Sequence, residues 1–337
     1  MKLTRIFVPL VASMVLYSCA SNNLSYEGKA FKNAYASIKA EELKKNLSVI
    51  ASDEMQGRDT GSEGQKKAGK YMIDFYKNIG VSYPKALGSY YQTVPKEALK
   101  SRGKELPESE NILAFIEGTE KPEEIIVVSA HYDHVGTKDG VVYNGADDDG
   151  SGTVAVMEIA EAFQQAKKAG KGPKRSILFL HVTGEEHGLL GSKYYAGHPV
   201  YDMKNTVVDL NIDMIGRSDK ENEGKNYVYV IGSEMLSSEL KVINEAANKI
   251  THNLELNYKY DDPKDPMRLY YRSDHYNFAK SGVPVAFYFD GIHADYHQPT
   301  DDVDKIDFPL LQKRAQLVFA TAWELANRKD RIVVDKK

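Results

Sequence analysis

The chain reads as an α/β protein, a three-layer α/β/α sandwich with a mostly parallel central sheet, and two observations predict this. Short runs that are apolar throughout, among them "IIVVSA", "SILFLHV" and "VPVAFYF", alternate with amphipathic helical stretches. Strands with apolar side chains on both sides belong to a sheet covered on both faces. With 337 residues, 42% of them apolar, the chain suits one large domain with a full core. A formal charge of −4 gives no basis for a nucleic-acid partner.

The elements follow in order. Lys2 and Arg5 precede "IFVPLVASMVLYS", a basic start and a short apolar run of the kind found in export leaders, too short for a membrane span. The run ends in "LYSC", which resembles a bacterial lipobox, the signal whose cysteine becomes the lipidated first residue. Cys19 is the single cysteine, so no disulfide forms within one copy. The expected organisation is a leader over 1–18, a polar tether over 19–35, one domain over 36–330 and a tail over 331–337. Such a chain is expected in a bacterial cell envelope, held to a membrane by its N-terminal lipid and either periplasmic or surface-exposed.

The domain opens with helix-like "SIKAEELKKNLSVIA", the loop "SDEMQGRDTGSEG", and "QKKAGKYMIDFYKNIG", which Gly80 caps. Predicted strands follow at "NILAFIEG", "EEIIVVSAH", "RSILFLHVTG", "TVVDLNIDMIG", "NYVYVIGS" and "VPVAFYFDG", with helices at "TVAVMEIAEAFQQAKKAG" and "SSELKVINEAANKI".

Polar residues gather where these strands run out. His131 and Asp133, Glu185 and Glu186, Asp213, and Tyr296 with His297 each follow an apolar run. Open α/β sheets bind ligands beyond the carboxyl ends of their strands, so these segments converge on one edge. Imidazole and carboxylate without thiolate is the donor mixture for catalytic zinc or a similar divalent ion. If His131, Asp148, Glu186, Asp213 and His297 are ligands, two metals with three protein donors each must share one carboxylate. Three carboxylates and one hydroxide balance two divalent ions, which a partly buried site tolerates.

"SAHYDHVG", "NGADDDGSGT", "TGEEHGLLGS", "NIDMIG" and "DYHQPTDDVDKID", in this order, look like the co-catalytic zinc peptidases of the M28 type, the aminopeptidase group that also includes the glutaminyl cyclases. "ASDEMQGRDTGSEGQKKAGKYM" is similar to that family's N-terminal segment. The resemblance implies peptide substrates and two zinc ions per chain, with another divalent metal as the variant. His131 and Asp213 would hold one ion, oriented by Asp133, Asp148 would bridge, and Glu186 with His297 would complete the second site. Glu185 would be the general base that takes a proton from the activated water and passes it to the leaving amine, and Tyr296 would stabilise the oxyanion. The family usually has Asn where this chain has Asp149, which leaves open whether Asp147, Asp148 or Asp149 bridges.

Other readings compete. "DDDGSGTVAVME" fits a calcium-loop pattern, but the preceding "GTKDGVVYNGA" is turn-rich and offers no helix. Asp274 and His275 in "YYRSDHYNF" are either pocket residues beside the ligands or part of a helix start capped by Ser273. His134, His181, His187, His198, His252 and His293 carry no motif and are expected to be structural or solvent-exposed. The leading function is a zinc-dependent exopeptidase, most simply an aminopeptidase. The alternatives are a glutaminyl cyclase-like single-zinc enzyme and a non-catalytic peptide-binding lipoprotein, in which Glu185 would have little use.

Overall fold

A computed structural model of the chain describes residues 26, 28–101 and 103–336. The leader, Cys19 and residues 20–25 and 27 of the expected tether lie outside these residues.

Eight strands form the main sheet: β1 (Tyr91–Val94), β2 (Ser109–Ile116), β3 (Lys121–His131), β4 (Arg175–Val182), β5 (Thr206–Ile212), β6 (Tyr227–Ile231), β7 (Glu255–Asn257) and β8 (Val285–Phe289). Their order is β1-β2-β4-β3-β5-β8-β6-β7. The central four, β4-β3-β5-β8, are mutually parallel. The antiparallel pairings are β1 with β2, β2 with β4, and β8 with β6. The apolar runs fall where the sequence places them, and every residue of β4, β5, β6 and β8 is buried. Strands buried on both faces have no polar side to alternate with, which is why the runs are continuous.

The helices are α1 (Lys29–Ser37), α2 (Ala40–Ile50), α3 (Glu63–Ile79), α4 (Gly152–Lys168), α5 (Leu190–Gly197), α6 (Leu240–Ile250), α7 (His275–Lys280) and α8 (Phe308–Asn327). The two covering layers are unequal. Ile126, Val128 and Ala130 of β3 pack into a core shared with α1–α4, α6 and α8, while Ile125 and Val127 face a smaller core with Tyr195 of α5 and Phe278 of α7. Gly80 caps α3 in the left-handed region (φ 80°), where its N–H returns to the carbonyls of Tyr76 and Lys77. Glycine takes this conformation without the Cβ penalty.

The expected tether is the first correction. Residues 29–35 are helical rather than a free polar segment, because Phe31 lies against Phe319 (ring centroids 5.8 Å apart) and Trp323 (5.6 Å) and is buried. A few apolar residues spaced along one helical face outweigh a polar average. The expected tail is docked as well. Arg331 donates to the carbonyls of Lys204 (2.7 Å) and Thr206 (2.6 Å), and Ile332 is buried.

Inside α4, Glu158 is buried and accepts from Asn46 Nδ2 (2.8 Å), whose Oδ1 accepts from the Tyr71 hydroxyl (2.7 Å). Burial first, then the charges of Glu161 and Glu42, push its carboxyl up to about 8. The folded state therefore holds this proton more tightly than the unfolded chain, and the associated stability is lost as pH rises from about 4.5 through 8. Glu158→Gln, which keeps the carbonyl acceptor without the charge, is expected to melt with wild type near pH 5 and several degrees above it at pH 9. A melting difference that does not change with pH contradicts the assignment.

Candidate metal centre

The centre is built by strand ends. β3 stops at His131, β4 at Val182 just before Glu185 and Glu186, and β5 at Ile212 just before Asp213. A kinked turn over Ala146–Ser151, with Asp148 and Asp149 in non-helical conformations, then brings Asp148 beneath them from the start of α4. α4 begins at Gly152, inside the calcium-loop pattern, so no calcium hand forms.

Of the three aspartates, Asp148 is the one with a histidine on each side. Its Oδ1 lies 3.3 Å from His131 Nε2, and its Oδ2 lies 3.0 Å from His297 Nε2. His131 Nε2 is also 3.6 Å from Asp213 Oδ1, and His297 Nε2 is 3.0 Å from Glu186 Oε2. Asp147 faces away, with His293 Nε2 3.1 Å from its Oδ2 and the Gly216 N–H donating to its Oδ1 (2.6 Å). Asp149 is occupied by the backbone, accepting from the N–H groups of His131 (3.2 Å), Gly152 (2.9 Å) and Met214 (3.1 Å). Three donors shared between two oxygens suit a carboxylate better than an amide, which gives Asp149 a structural reason.

The residues fit divalent ions on their own chemistry. His131 Nε2, Asp148 Oδ2 and Glu186 Oε1 are buried without an aligned hydrogen-bond partner, although opposite groups stand within about 4 Å. Donors around one tetrahedral zinc with bonds of about 2.0–2.1 Å lie roughly 3.3–3.5 Å apart, close to the spacing around His131. His131, Asp148 and Asp213 form one group able to hold an ion, and Asp148 with Glu186 belongs to another.

The surroundings hold these donors in place. His131 Nδ1 lies 3.0 Å from the Asp133 carbonyl and 3.7 Å from its carboxylate, so the backbone oxygen is the nearer orienting partner. The Asp133 carboxylate accepts from Thr60 Oγ1 (3.0 Å) and the Glu185 N–H (3.2 Å). Ser273 does not cap α7; its hydroxyl donates to Asp213 Oδ2 (2.6 Å), which corrects that part of the helix-start reading. Asp274 accepts from Ser192 Oγ (2.5 Å), and burial pushes its carboxyl up to about 7. His275 stacks on Phe287 (4.7 Å) outside the donor groups, and burial lowers its ring to about 3. Burial also raises the Glu185 carboxyl well above the usual range, helped by the charges of Asp213, Glu186 and Asp274. Tyr296 stacks on His297 with ring centroids 4.0 Å apart.

Residues 111–322 match the model of peptidase family M28. The chain belongs to peptidase family M28. It is 31% identical over 222 residues to a probable leucine aminopeptidase of Arthroderma otae, an alignment covering 64% of this chain and 57% of that protein. The chain thus spans somewhat over half the length of the curated relatives it matches. Its fold is shared with the LapA aminopeptidase of Legionella pneumophila (TM-score 0.72, 20% identity, 97% of this chain and 81% of the other). It is also shared with a Bacteroides thetaiotaomicron glutaminyl cyclase bound to N-acetylhistamine (TM-score 0.66, 18% identity, 85% and 98%). Fold alone does not separate these two activities.

Some functional residues escape the sequence pattern. Arg58, fully buried in the "SDEMQGRDTGSEG" loop, donates to the carbonyls of Tyr132 (2.9 Å), Ile50 (2.9 Å), Asn144 (2.5 Å) and Gly145 (2.8 Å). It joins the N-terminal segment to the turn after His131 and to the one before Asp148. His134 is buried rather than solvent-exposed, with Nδ1 2.8 Å from Glu186 Oε1, which puts it beside the donors. The signal for it was its position just past the end of β3, on the same edge as His131. Of the remaining histidines, His181 is buried against the Tyr76 hydroxyl (2.6 Å), His187 pairs with Asp59 (3.0 Å), His293 meets Asp147, and His198 and His252 are exposed.

Beside the donors lies a pocket lined by Asp148, Glu185 and Asp213 and by an apolar wall of Met214, Leu269, Phe287, Phe289 and Ile292. Tyr296 and Arg272 complete its rim.

Arg58→Lys is expected to lower unfolding free energy by at least about 2 kcal/mol, because an ammonium cannot serve all four carbonyls and each buried acceptor left bare costs about 1–3 kcal/mol. Chemical denaturation checks this, and unchanged stability would remove Arg58 from its bracing role.

Proposed function

We propose that the chain is a zinc-dependent aminopeptidase with two ions, one held by His131, Asp148 and Asp213, the other by Asp148, Glu186 and His297. The observation that carries this reading is Asp148, which turns one oxygen to His131 and the other to His297. Zinc bound at these donors supplies Lewis acidity and makes the attacking water more acidic.

The chain's own groups do the rest. Glu185 lines the cavity beside Asp148 and Asp213, takes a proton from the attacking water and delivers it to the leaving amine nitrogen. Tyr296, on the same cavity, offers its hydroxyl to the scissile carbonyl oxygen as negative charge develops there. The apolar wall receives the side chain of the N-terminal residue, while the carboxylates lining the pocket attract its free ammonium group. Apolar N-terminal residues are therefore the preferred substrates. Glu185 also argues against a pure binding protein, which needs no proton carrier. The leader and "LYSC" support export and attachment of the enzyme to a bacterial envelope through Cys19.

Aminoacyl-anilide hydrolysis tests the reading. Leucyl and phenylalanyl anilides are expected to be cleaved, with activity lost on chelation and regained with zinc. Cyclisation of N-terminal glutamine without anilide cleavage, together with one ion per chain, would replace the peptidase by a cyclase.

Glu185→Gln is expected to keep both ions and lose roughly 10²–10⁴-fold in turnover. Full activity in that variant would show that another group moves the proton. Tyr296→Phe is expected to lower kcat by about 10²-fold with little change in KM, the signature of a transition-state contact.

A further inference from the structure

We infer that His134 is a fourth protein donor to the second ion, so that this site holds two imidazoles while the first holds one. The inference rests on the two-ion reading above and extends it to a residue that reading does not use.

Three observations meet at His134. First, its Nδ1 lies 2.8 Å from Glu186 Oε1 and 3.7 Å from Asp148 Oδ2, and the three residues form a group whose donor atoms all lie within 4.8 Å of one another. Secondly, closeness has not produced hydrogen bonds. His134 Nδ1, Glu186 Oε1 and Asp148 Oδ2 are each buried without an aligned partner, and His134 Nε2 is likewise uncommitted. A buried imidazole and carboxylate this close would normally align as donor and acceptor. Atoms that converge without aligning share a point of space instead, which is the geometry of ligands around a cation.

Thirdly, the fold makes room for the ring. A Cβ on Gly145 would sit 2.5 Å from His134 Cγ and Cδ2, so only glycine lets this turn pass so close. The His134 N–H is held by the Arg58 carbonyl (3.2 Å), which fixes the backbone behind the ring. His297 stands across the site, its ring edge-on to His134 with centroids 5.7 Å apart. The two imidazoles approach different oxygens of Glu186, His134 at Oε1 and His297 at Oε2. The nitrogen adds a donor without adding charge, so the charge balance of the pair of ions is unchanged.

The test uses metal binding, not turnover. Apo-protein is titrated with zinc by calorimetry, and the cobalt-loaded protein is examined by proton NMR, where each ligating imidazole gives one strongly shifted, solvent-exchangeable N–H resonance. Wild type is expected to bind two ions and to show three such resonances, from His131, His297 and His134. His134→Ala is expected to show two, to bind the first ion unchanged, and to bind the second at least about tenfold more weakly, the scale on which even the partners of metal ligands act. Two resonances in two-ion wild type, or a His134→Ala chain that binds both ions as tightly as wild type, overturns the assignment while leaving the two-ion reading intact. A wild-type chain that binds one ion only overturns that reading and this inference with it. The wild-type spectrum decides the matter even where the variant does not fold.

Discussion

Carboxylates crowded beneath a parallel sheet edge are the constraint on which the rest of this structure depends. Asp133, Asp147, Asp148, Asp149, Asp213 and Asp301 are all buried, with Glu185 and Glu186 beside them. Burying a charge without compensation costs several kcal/mol per group, so each must be met by something. Asp149 is met by three backbone N–H groups, and Asp301 by those of Asp147 (3.0 Å) and Asp148 (3.1 Å). Asp133 takes Thr60 and the Glu185 amide. Asp148, Glu186 and Asp213 face chiefly histidines, with buried oxygens left unaligned on Asp148 and Glu186. These three are the acids that the proposed cations would neutralise.

The scaffold explains why the crowding does not scatter. Four parallel strands end at one level, which fixes His131, the Glu185–Glu186 turn and Asp213 relative to one another. The remaining donors sit on loops, and loops need bracing. Arg58 braces the Asn144–Gly145 turn before Asp148 and the Tyr132 carbonyl after His131, and its charge is itself stabilised by Asp148, Asp301, Asp149 and Asp133 against the cost of burial. The loop bearing Tyr296 and His297 is pinned by Asp301, by His293 on Asp147, and by Asp295 on Arg217 (2.9 Å) and Lys305 (2.6 Å). One guanidinium and one loop therefore carry much of the precision that the sheet does not supply.

Much of this was legible in the residues. The strands announce themselves because both faces are covered, leaving unbroken apolar runs, and the convergence of His131, Glu186 and Asp213 follows from strand ends alone. The structure resolves what spacing left open, the identity of the doubly facing aspartate, because only the turn at Ala146–Ser151 determines which of three adjacent carboxylates points inward. Arg58 is invisible in the sequence because its partners are backbone carbonyls from three separate segments, which no side-chain pattern records. His134 was passed over because a lone histidine beside a motif looks ordinary until its ring is seen beside Glu186. The tether misled for a simpler reason: one buried Phe31 anchors a segment whose average composition is polar.

On the two-ion reading, the buried acids hold two cations that share Asp148. Anomalous diffraction at the zinc edge from crystals of the zinc-loaded chain tests it most directly. Two peaks are expected on opposite sides of the Asp148 carboxylate, one beside His131 and Asp213, the other beside Glu186 and His297. A single peak, or a second peak remote from Asp148, would contradict it.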